Sequence, residues 1–241
     1  MLRVGKEYTK NLRSAVAAIK DFASEGTFII DRNRIFFHAL DEAKSCQIVY
    51  INNNINVETD EDTTKIHLNI QELNKILQKT DAPVELEYHD GKLKITEEGS
   101  VRKKTFIIPT LSMENYDGRV IEYNKFTGHI TVDAKEFHDI IKEAALVNSM
   151  LSLKLTEDGK LIATAADKYV GKQYQTELNG TNNEGTAESF YSINYLGKAV
   201  AACRQLNEII TLSIADKAPL RIKTESGNDI LEVLIAPIIR G

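Results

Sequence analysis

The second half of this chain repeats the order of the first, and that repetition constrains the fold more than any single motif. Leu12, Ala15, Val16 and Ile19 form an i, i+3, i+4, i+7 apolar stripe, and Phe137, Ile140, Ile141 and Ala144 fall on them at an offset of 125. The turn Asp31-Arg32-Asn33-Arg34 has its counterpart in Glu157-Asp158-Gly159-Lys160 at an offset of 126, and His38-Ala39-Leu40-Asp41 meets Thr164-Ala165-Ala166-Asp167 at the same spacing. Leu73-Asn74-Lys75-Ile76 returns as Leu196-Gly197-Lys198-Ala199 at an offset of 123. Four anchors in one order imply a structural duplication, and 241 residues suffice for two domains of about 120.

Each half reads as helices mixed with short β segments. Thr9 to Phe22 reads as a helix ending near Gly26, followed by strands over Phe28–Ile30, Arg34–Leu40 and Gln47–Ile51. Asn69 to Lys79 reads as a second helix, closed by Asp81-Ala82-Pro83. Val84–Tyr88 and Leu93–Thr96 flank His89-Asp90-Gly91-Lys92, whose Asp-Gly pair marks a tight hairpin, and Lys103–Ile108 follows. Leu111 to Phe126 has no clear period. The expected organisation is therefore α+β: a domain over 1–114, a linker over 115–127 and a second domain over 128–241, each with two helices packed on antiparallel sheet.

Composition narrows the function. A formal net charge of −5 excludes a protein whose whole surface binds nucleic acid, because phosphate contacts dominate that affinity. The helices nevertheless gather cations: Lys10, Arg13 and Lys20 lie on one stripe of the first, and the outward positions of the second and fourth read Gln71, Asn74, Lys75, Gln78, Lys79 and Asn194, Lys198, Arg204, Gln205. Charge segregated in this way points to a path for a polyanion. The third helix is mixed, with Lys135, His138 and Lys142 beside Glu136, Asp139 and Glu143.

Nothing in the motifs calls for catalysis. His38, His67, His89, His129 and His138 lack zinc-ligand spacing, and the chain has neither a glycine-rich phosphate loop nor a Gly-x-Ser-x-Gly elbow. Cys46 and Cys203 read as small core or pocket residues, so no metal or cofactor is expected. No apolar run reaches the roughly 18 residues of a membrane span and the N-terminal residues lack a signal-peptide core, which makes an intracellular location the expectation.

Several segments resemble the PCNA-type DNA sliding clamps. Asp229-Ile230-Leu231-Glu232-Val233-Leu234-Ile235-Ala236-Pro237-Ile238-Ile239 is similar to the family's C-terminal strand with its Ala-Pro close, and Ala215-Asp216-Lys217-Ala218-Pro219-Leu220 to its penultimate hairpin. His38-Ala39-Leu40-Asp41 and Ser192-Ile193-Asn194-Tyr195-Leu196 resemble two further motifs, in the family's order.

The resemblance implies a ring of three subunits, a homotrimer that encircles double-stranded DNA, confers processivity on DNA polymerase, is opened by a clamp loader, and serves other replication and repair proteins. Subunits would meet through edge strands, Lys103–Ile108 of one copy and Lys172–Leu178 of the next. Carried over by position, the DNA-facing cations are Lys10, Arg13, Lys20, Lys75, Lys142 and Lys198, with Asp139 standing where the family often has a basic residue. A pocket for partner peptides would use Leu40, Cys46, Ile48, Pro219, Leu234, Ile235, Ala236 and Pro237, with Tyr116, Val120 or Ile121 from the linker. Two alternatives are a checkpoint-type or heterotrimeric clamp subunit, and a hydrolase built on His138 with Asp139 and Glu143.

Overall fold

The computed structural model describes residues 2–41, 43–55, 57–99, 101–112 and 120–239. They form two compact units, each of which borrows a short piece from elsewhere in the chain. Unit 1 comprises Met1–Asp41, Ile48–Val120 and Gly227–Ile230; unit 2 comprises Glu42–Gln47, Ile121–Ser226 and Leu231–Gly241.

Unit 1 starts with β1 (Leu2–Val4), a single 3-10 turn and α1 (Thr9–Ile19). Leu12, Ala15, Val16 and Ile19 are all buried, as their spacing requires of a helix docked on a sheet. The helix stops at Ile19 rather than at Phe22, and Gly26 lies inside β2 (Glu25–Ile30), not at a helix terminus. A Cβ at Gly26 would sit 2.3 Å from the Phe37 ring, so this glycine serves close packing between adjacent strands.

The unit continues with β3 (Ile35–Leu40), β4 (Cys46–Asn52), β5 (Val57–Thr59), β6 (Thr64–Asn69), α2 (Ile70–Leu77), β7 (Val84–His89), β8 (Lys92–Glu98) and β9 (Lys103–Pro109). Asn69 caps α2 by accepting the Glu72 N–H at 2.9 Å, a reason for the helix to begin one residue later than its pattern. Between β7 and β8, Asp90 at φ 49° and Gly91 at φ 68° make the two-residue turn that the Asp-Gly pair predicts. Five antiparallel strands run in the order β5-β1-β7-β8-β9, and four more in the order β4-β3-β2-β6.

Unit 2 repeats this plan with β10 (Gly128–Asp133), α3 (Ala134–Ala145), β11 (Met150–Leu155), β12 (Lys160–Asp167), β13 (Lys172–Asn179), β14 (Thr181–Gly185), β15 (Ala187–Ser192), α4 (Ile193–Cys203), β16 (Ile209–Ile214), β17 (Leu220–Ser226) and β18 (Asp229–Ile235). The strands run β14-β10-β16-β17-β18 and β13-β12-β11-β15, the orders of unit 1 element for element. β2 and β11 begin at residues 25 and 150, α2 and α4 at 70 and 193, so the offset drifts as the sequence anchors indicate. Asp133 caps α3 through the Lys135 and Glu136 N–H groups at 2.8 and 2.9 Å.

Each unit thus holds two antiparallel layers around one apolar core, with both helices packed together. Phe137, Ile140, Ile141, Leu196, Ala199 and Val200 are buried in unit 2, where residues of this size contribute about 1.5–3 kcal/mol each for the larger side chains. The expected α+β class with antiparallel sheet is observed, in two layers per unit rather than one.

Candidate nucleic-acid interface and peptide site

On α1 the unburied positions include Lys10, Asn11, Arg13, Ser14 and Ala17, with Lys20 just beyond, and acid is absent from the stripe. Lys10 is exposed and Lys20 half-buried. Arg13 is different. Its guanidinium reaches the turn after α2 and donates to the Thr80 carbonyl at 2.7 Å, the Thr80 hydroxyl at 2.7 Å and the Ala82 carbonyl at 2.9 Å. A cation there satisfies main-chain carbonyls of the turn that no helical or strand hydrogen bond reaches. Arg13 is therefore committed to the fold of unit 1, a role that spacing along α1 does not reveal.

On α2 Gln71, Lys75, Gln78 and Lys79 are exposed, together with Glu72, whereas Asn74 is buried at 8%. Asn74 corrects the outward stripe: it lies beside Leu73 and Leu77 on the packed side of α2. On α3 the exposed charged residues are Lys135, Glu136, Asp139, Lys142 and Glu143; on α4 Asn194 is exposed and Lys198 half-buried, as is Arg204 just beyond its end. Among the described residues Lys10, Lys20, Lys75 and Lys198 form no ion pair, and Lys142 is 3.5 Å from Asp139.

His138 does not pair with Asp139. Its Nδ1 lies 3.3 Å from an Arg204 nitrogen, while Asp139 faces Lys142. Burial, then the charges of Lys142 and Arg204, push the His138 pKa below its ordinary value, and Asp139 opposes that only weakly. An imidazole kept neutral between two cations lacks the carboxylate support on which a general base would draw. Among the described residues no group of His, Cys, Asp and Glu is placed to hold a metal ion, and no helix is long and apolar enough to cross a membrane.

The expected peptide-site residues separate by burial. In unit 1 Ile48 is wholly buried and Leu40 and Val120 are half-buried. In unit 2 Cys46, Leu234 and Ile235 are buried, while Ile121 and Ala236 are exposed and Pro219 and Pro237 are half-buried. Tyr116 lies outside the described residues. Cys46, Ile48 and Ile235 thus belong to the cores, and Ile121, Pro219, Ala236 and Pro237 present the apolar surface of unit 2.

Main-chain bonds hold that surface together. Ala236 N–H donates to the Ser45 carbonyl at 2.8 Å and Ile238 N–H to the Phe190 carbonyl at 2.7 Å. The Gln47 amide clasps Ile121 from both sides, accepting its N–H at 2.6 Å and donating to its carbonyl at 3.1 Å. Tyr191 donates to the Ala218 carbonyl at 2.9 Å, next to Pro219. Downstream of Ile121, Tyr123 stacks edge-on against Phe126, and Arg221 lies over the Phe126 ring at 4.6 Å. Gln47, Tyr123 and Phe126 escaped the sequence reading. The one available signal was a lone glutamine in an otherwise apolar strand.

No protein-family model matches the chain. It is similar along nearly its whole length to proteins named DNA polymerase sliding clamp: 24% identical over 231 residues to that of Thermofilum pendens, covering 92% of this chain and 93% of the relative. The corresponding protein of Nanoarchaeum equitans is 26% identical over 240 residues, covering 93% and 90%. Among solved structures, PCNA from Thermococcus kodakaraensis superposes with a TM-score of 0.87 at 18% identity, over 99% of this chain and 100% of that one. PCNA from A. fulgidus, solved with the C-terminal region of FEN-1 bound, gives 0.82 at 18% identity over the full length of both. The fold is that of the PCNA-type clamps, and the resemblance read from the C-terminal strand and the duplication is borne out.

Proposed function

We propose that the chain is a DNA sliding clamp, which encircles duplex DNA inside the cell as a ring of copies and tethers DNA polymerase and other replication and repair proteins without chemistry of its own. The observation that carries the reading is the duplicated two-layer unit, in a chain similar over nearly its whole length to proteins named as sliding clamps. Each unit brings a pair of adjacent helices with unpaired lysines, so three copies would supply twelve helices to a pore. Attraction between such lysines and phosphates has no preferred register, so it holds the ring near DNA while permitting motion along it.

The ring would close through β9 and β13. Both strands end their sheets, and β9 carries Ile107 at 61% exposure. Bare strand edges of this length invite pairing, and head-to-tail pairing that closes removes them. Partner peptides would dock on Ile121, Pro219, Ala236 and Pro237, the apolar surface of unit 2. The lysines proposed to face DNA are Lys10, Lys20, Lys75, Lys142 and Lys198. Arg13 adds its charge from a fixed position.

The test pairs mass with processivity. The purified chain should run at three times its monomer mass and, with its clamp loader present, lengthen the products of its polymerase on singly primed circular DNA. Changing Lys10, Lys20, Lys75 and Lys198 together to Ala should abolish the second property and leave the first. Arg13 is excluded from this set because its loss perturbs unit 1. Undiminished product length in the fourfold variant would refute the DNA-facing assignment, and a monomer that trimerises only with other chains would make it a heterotrimer subunit.

A further inference from the structure

The outer faces of the two five-strand sets carry the same three-strand pattern with one chemical change. In unit 1 Arg3, Glu87 and Lys94 stand side by side on β1, β7 and β8. Glu87 is 2.5 Å from Lys94, and Glu85, next on the same face, pairs with Arg3. The matching register in unit 2 aligns His129, Ser213 and Arg221 on β10, β16 and β17. The basic flanks are kept, and both carboxylates of β7 are replaced by hydroxyls, Thr211 and Ser213.

These residues line a cleft of about 520 Å³, with Thr131, Asn207 and Lys223 beside them. Ser213 Oγ is 3.0 Å from His129 Nδ1 and 3.4 Å from an Arg221 nitrogen. Arg221 lies over the Phe126 ring, and its buried Nε finds no acceptor among the described residues. Thr131 and Thr211 share one hydrogen bond at 3.1 Å, which leaves one of the two hydroxyl protons to give. Two carboxylates also border the cleft: Glu225, held 2.6 Å from Lys223, and Glu184, exposed opposite His129.

We propose that this cleft binds an acidic side chain of a partner peptide, whose carboxylate takes the place that Glu87 fills in unit 1. Arg221 is the anchor: a guanidinium already fixed by stacking loses little freedom on pairing with a carboxylate. With the His129 proton on Nδ1, Ser213 accepts from His129 and Arg221, and its own hydroxyl proton and one threonine hydroxyl complete the donor set. None of the pore lysines, and none of Ile121, Pro219, Ala236 and Pro237, lines this cleft, and the proposal requires neither the ring nor DNA.

The experiment uses the full chain and a fluorescein-labelled tetraglutamate peptide, with tetraglutamine as control, read by anisotropy. Saturable binding of the glutamate peptide alone is expected. Arg221→Gln should weaken it about ten-fold, the loss of roughly one charged hydrogen-bonded pair. Ser213→Asp should weaken it comparably by restoring an internal carboxylate, so that two independent variants report on the site. Equal binding of both peptides, or glutamate binding unchanged in both variants, overturns the proposal. Displacement by inorganic phosphate at lower concentration than by acetate overturns the assignment to a carboxylate.

Discussion

The turn after the second helix is gripped by charges in unit 1 and, in unit 2, by neutral side chains beside one exposed pair, Arg204 with Glu208 at 3.2 Å. In unit 1 Arg13 donates three hydrogen bonds to residues 80 and 82, Glu97 accepts the Asp81 and Ala82 N–H groups, and Lys104 lies 2.7 Å from Glu97 and 3.0 Å from the Lys79 carbonyl. In unit 2 Asn207 caps the same turn, donating to the Glu225 carbonyl at 2.7 Å and accepting the Ile209 N–H at 3.2 Å, and Thr224 donates to the Ile209 carbonyl at 2.7 Å. At the offset of 125, His138 stands where unit 1 has Arg13, and it faces Arg204 instead of carbonyl groups. Duplication preserves the path of the chain, because apolar burial and strand register set that path. The polar groups that finish each turn have many equivalent solutions, and the two halves have taken different ones.

The same contrast extends to the cores. Unit 1 contains a buried polar node in which Tyr8 and Tyr50 share a hydrogen bond at 2.5 Å, and Tyr50, Asn52 and Asn11 all donate to Asp229. Burial is the main reason that both tyrosine hydroxyls are pushed well above their ordinary pKa. The largest loss is therefore expected for Asp229→Ala, which strands three donors around an empty site. We expect it to cost unit 1 about 3 kcal/mol, read as a shift of the urea midpoint. Removal of a buried apolar methyl in unit 2, as in Ile141→Val, should cost only about 1 kcal/mol. Equal losses would erase the distinction between the cores.

Next in size is the helix turn itself. Arg13→Ala should destabilise by about 2 kcal/mol, since three acceptors in the turn after α2 lose a charged donor. His138→Ala at the matching position should change the urea midpoint by a much smaller amount. A comparable loss for the two substitutions would show that both turns depend on their first helix alike.

Acid should act on the two units differently. Hydrogen bonds from Lys104 and then from the Ala82 N–H hold the Glu97 carboxyl down at about 2, from its ordinary 4.5. Because the folded pKa is depressed, this contribution is complete above pH 4.5 and is lost as pH falls towards about 2. Glu97→Gln should lower stability at neutral pH and flatten its dependence over that window, measured by urea unfolding across pH. An unchanged acid profile would remove Glu97 from the clamp.

The smallest effect belongs to His138. Its folded pKa lies below the ordinary 6.5, so the unfolded chain binds the extra proton first, and stability falls as pH drops from about 6.5 through the lower folded value. His138→Gln should abolish that slope in urea unfolding across pH, and in the unaltered chain the His138 imidazole resonances should titrate below 6.5 in NMR. A His138 that titrates above 6.5 would show that Asp139 governs it after all.

What was legible in the sequence is what short-range periodicity encodes. The apolar stripes of α1 and α3, the Asp90-Gly91 turn and the repeat offset identify the elements and their duplicated order, because each depends on neighbours a few residues apart. The ends were less legible. α1 stops at Ile19 although its pattern continues to Phe22, and Gly26 is glycine because Phe37 packs on it from the next strand.

The cationic stripe was a mixed case, since Lys10 and Arg13 look alike along the chain and only packing of α2 beside α1 turns one into a cap. The sequence alone determined the class of fold, its repetition and the cations on its helices. Only the tertiary structure decided which charges are spent internally, that Asp229 joins Tyr50 across 179 residues, and that His129, Ser213 and Arg221 share one cleft. Such contacts are made by side chains brought together when strands pair, and their chemistry leaves no periodic trace in the order of residues.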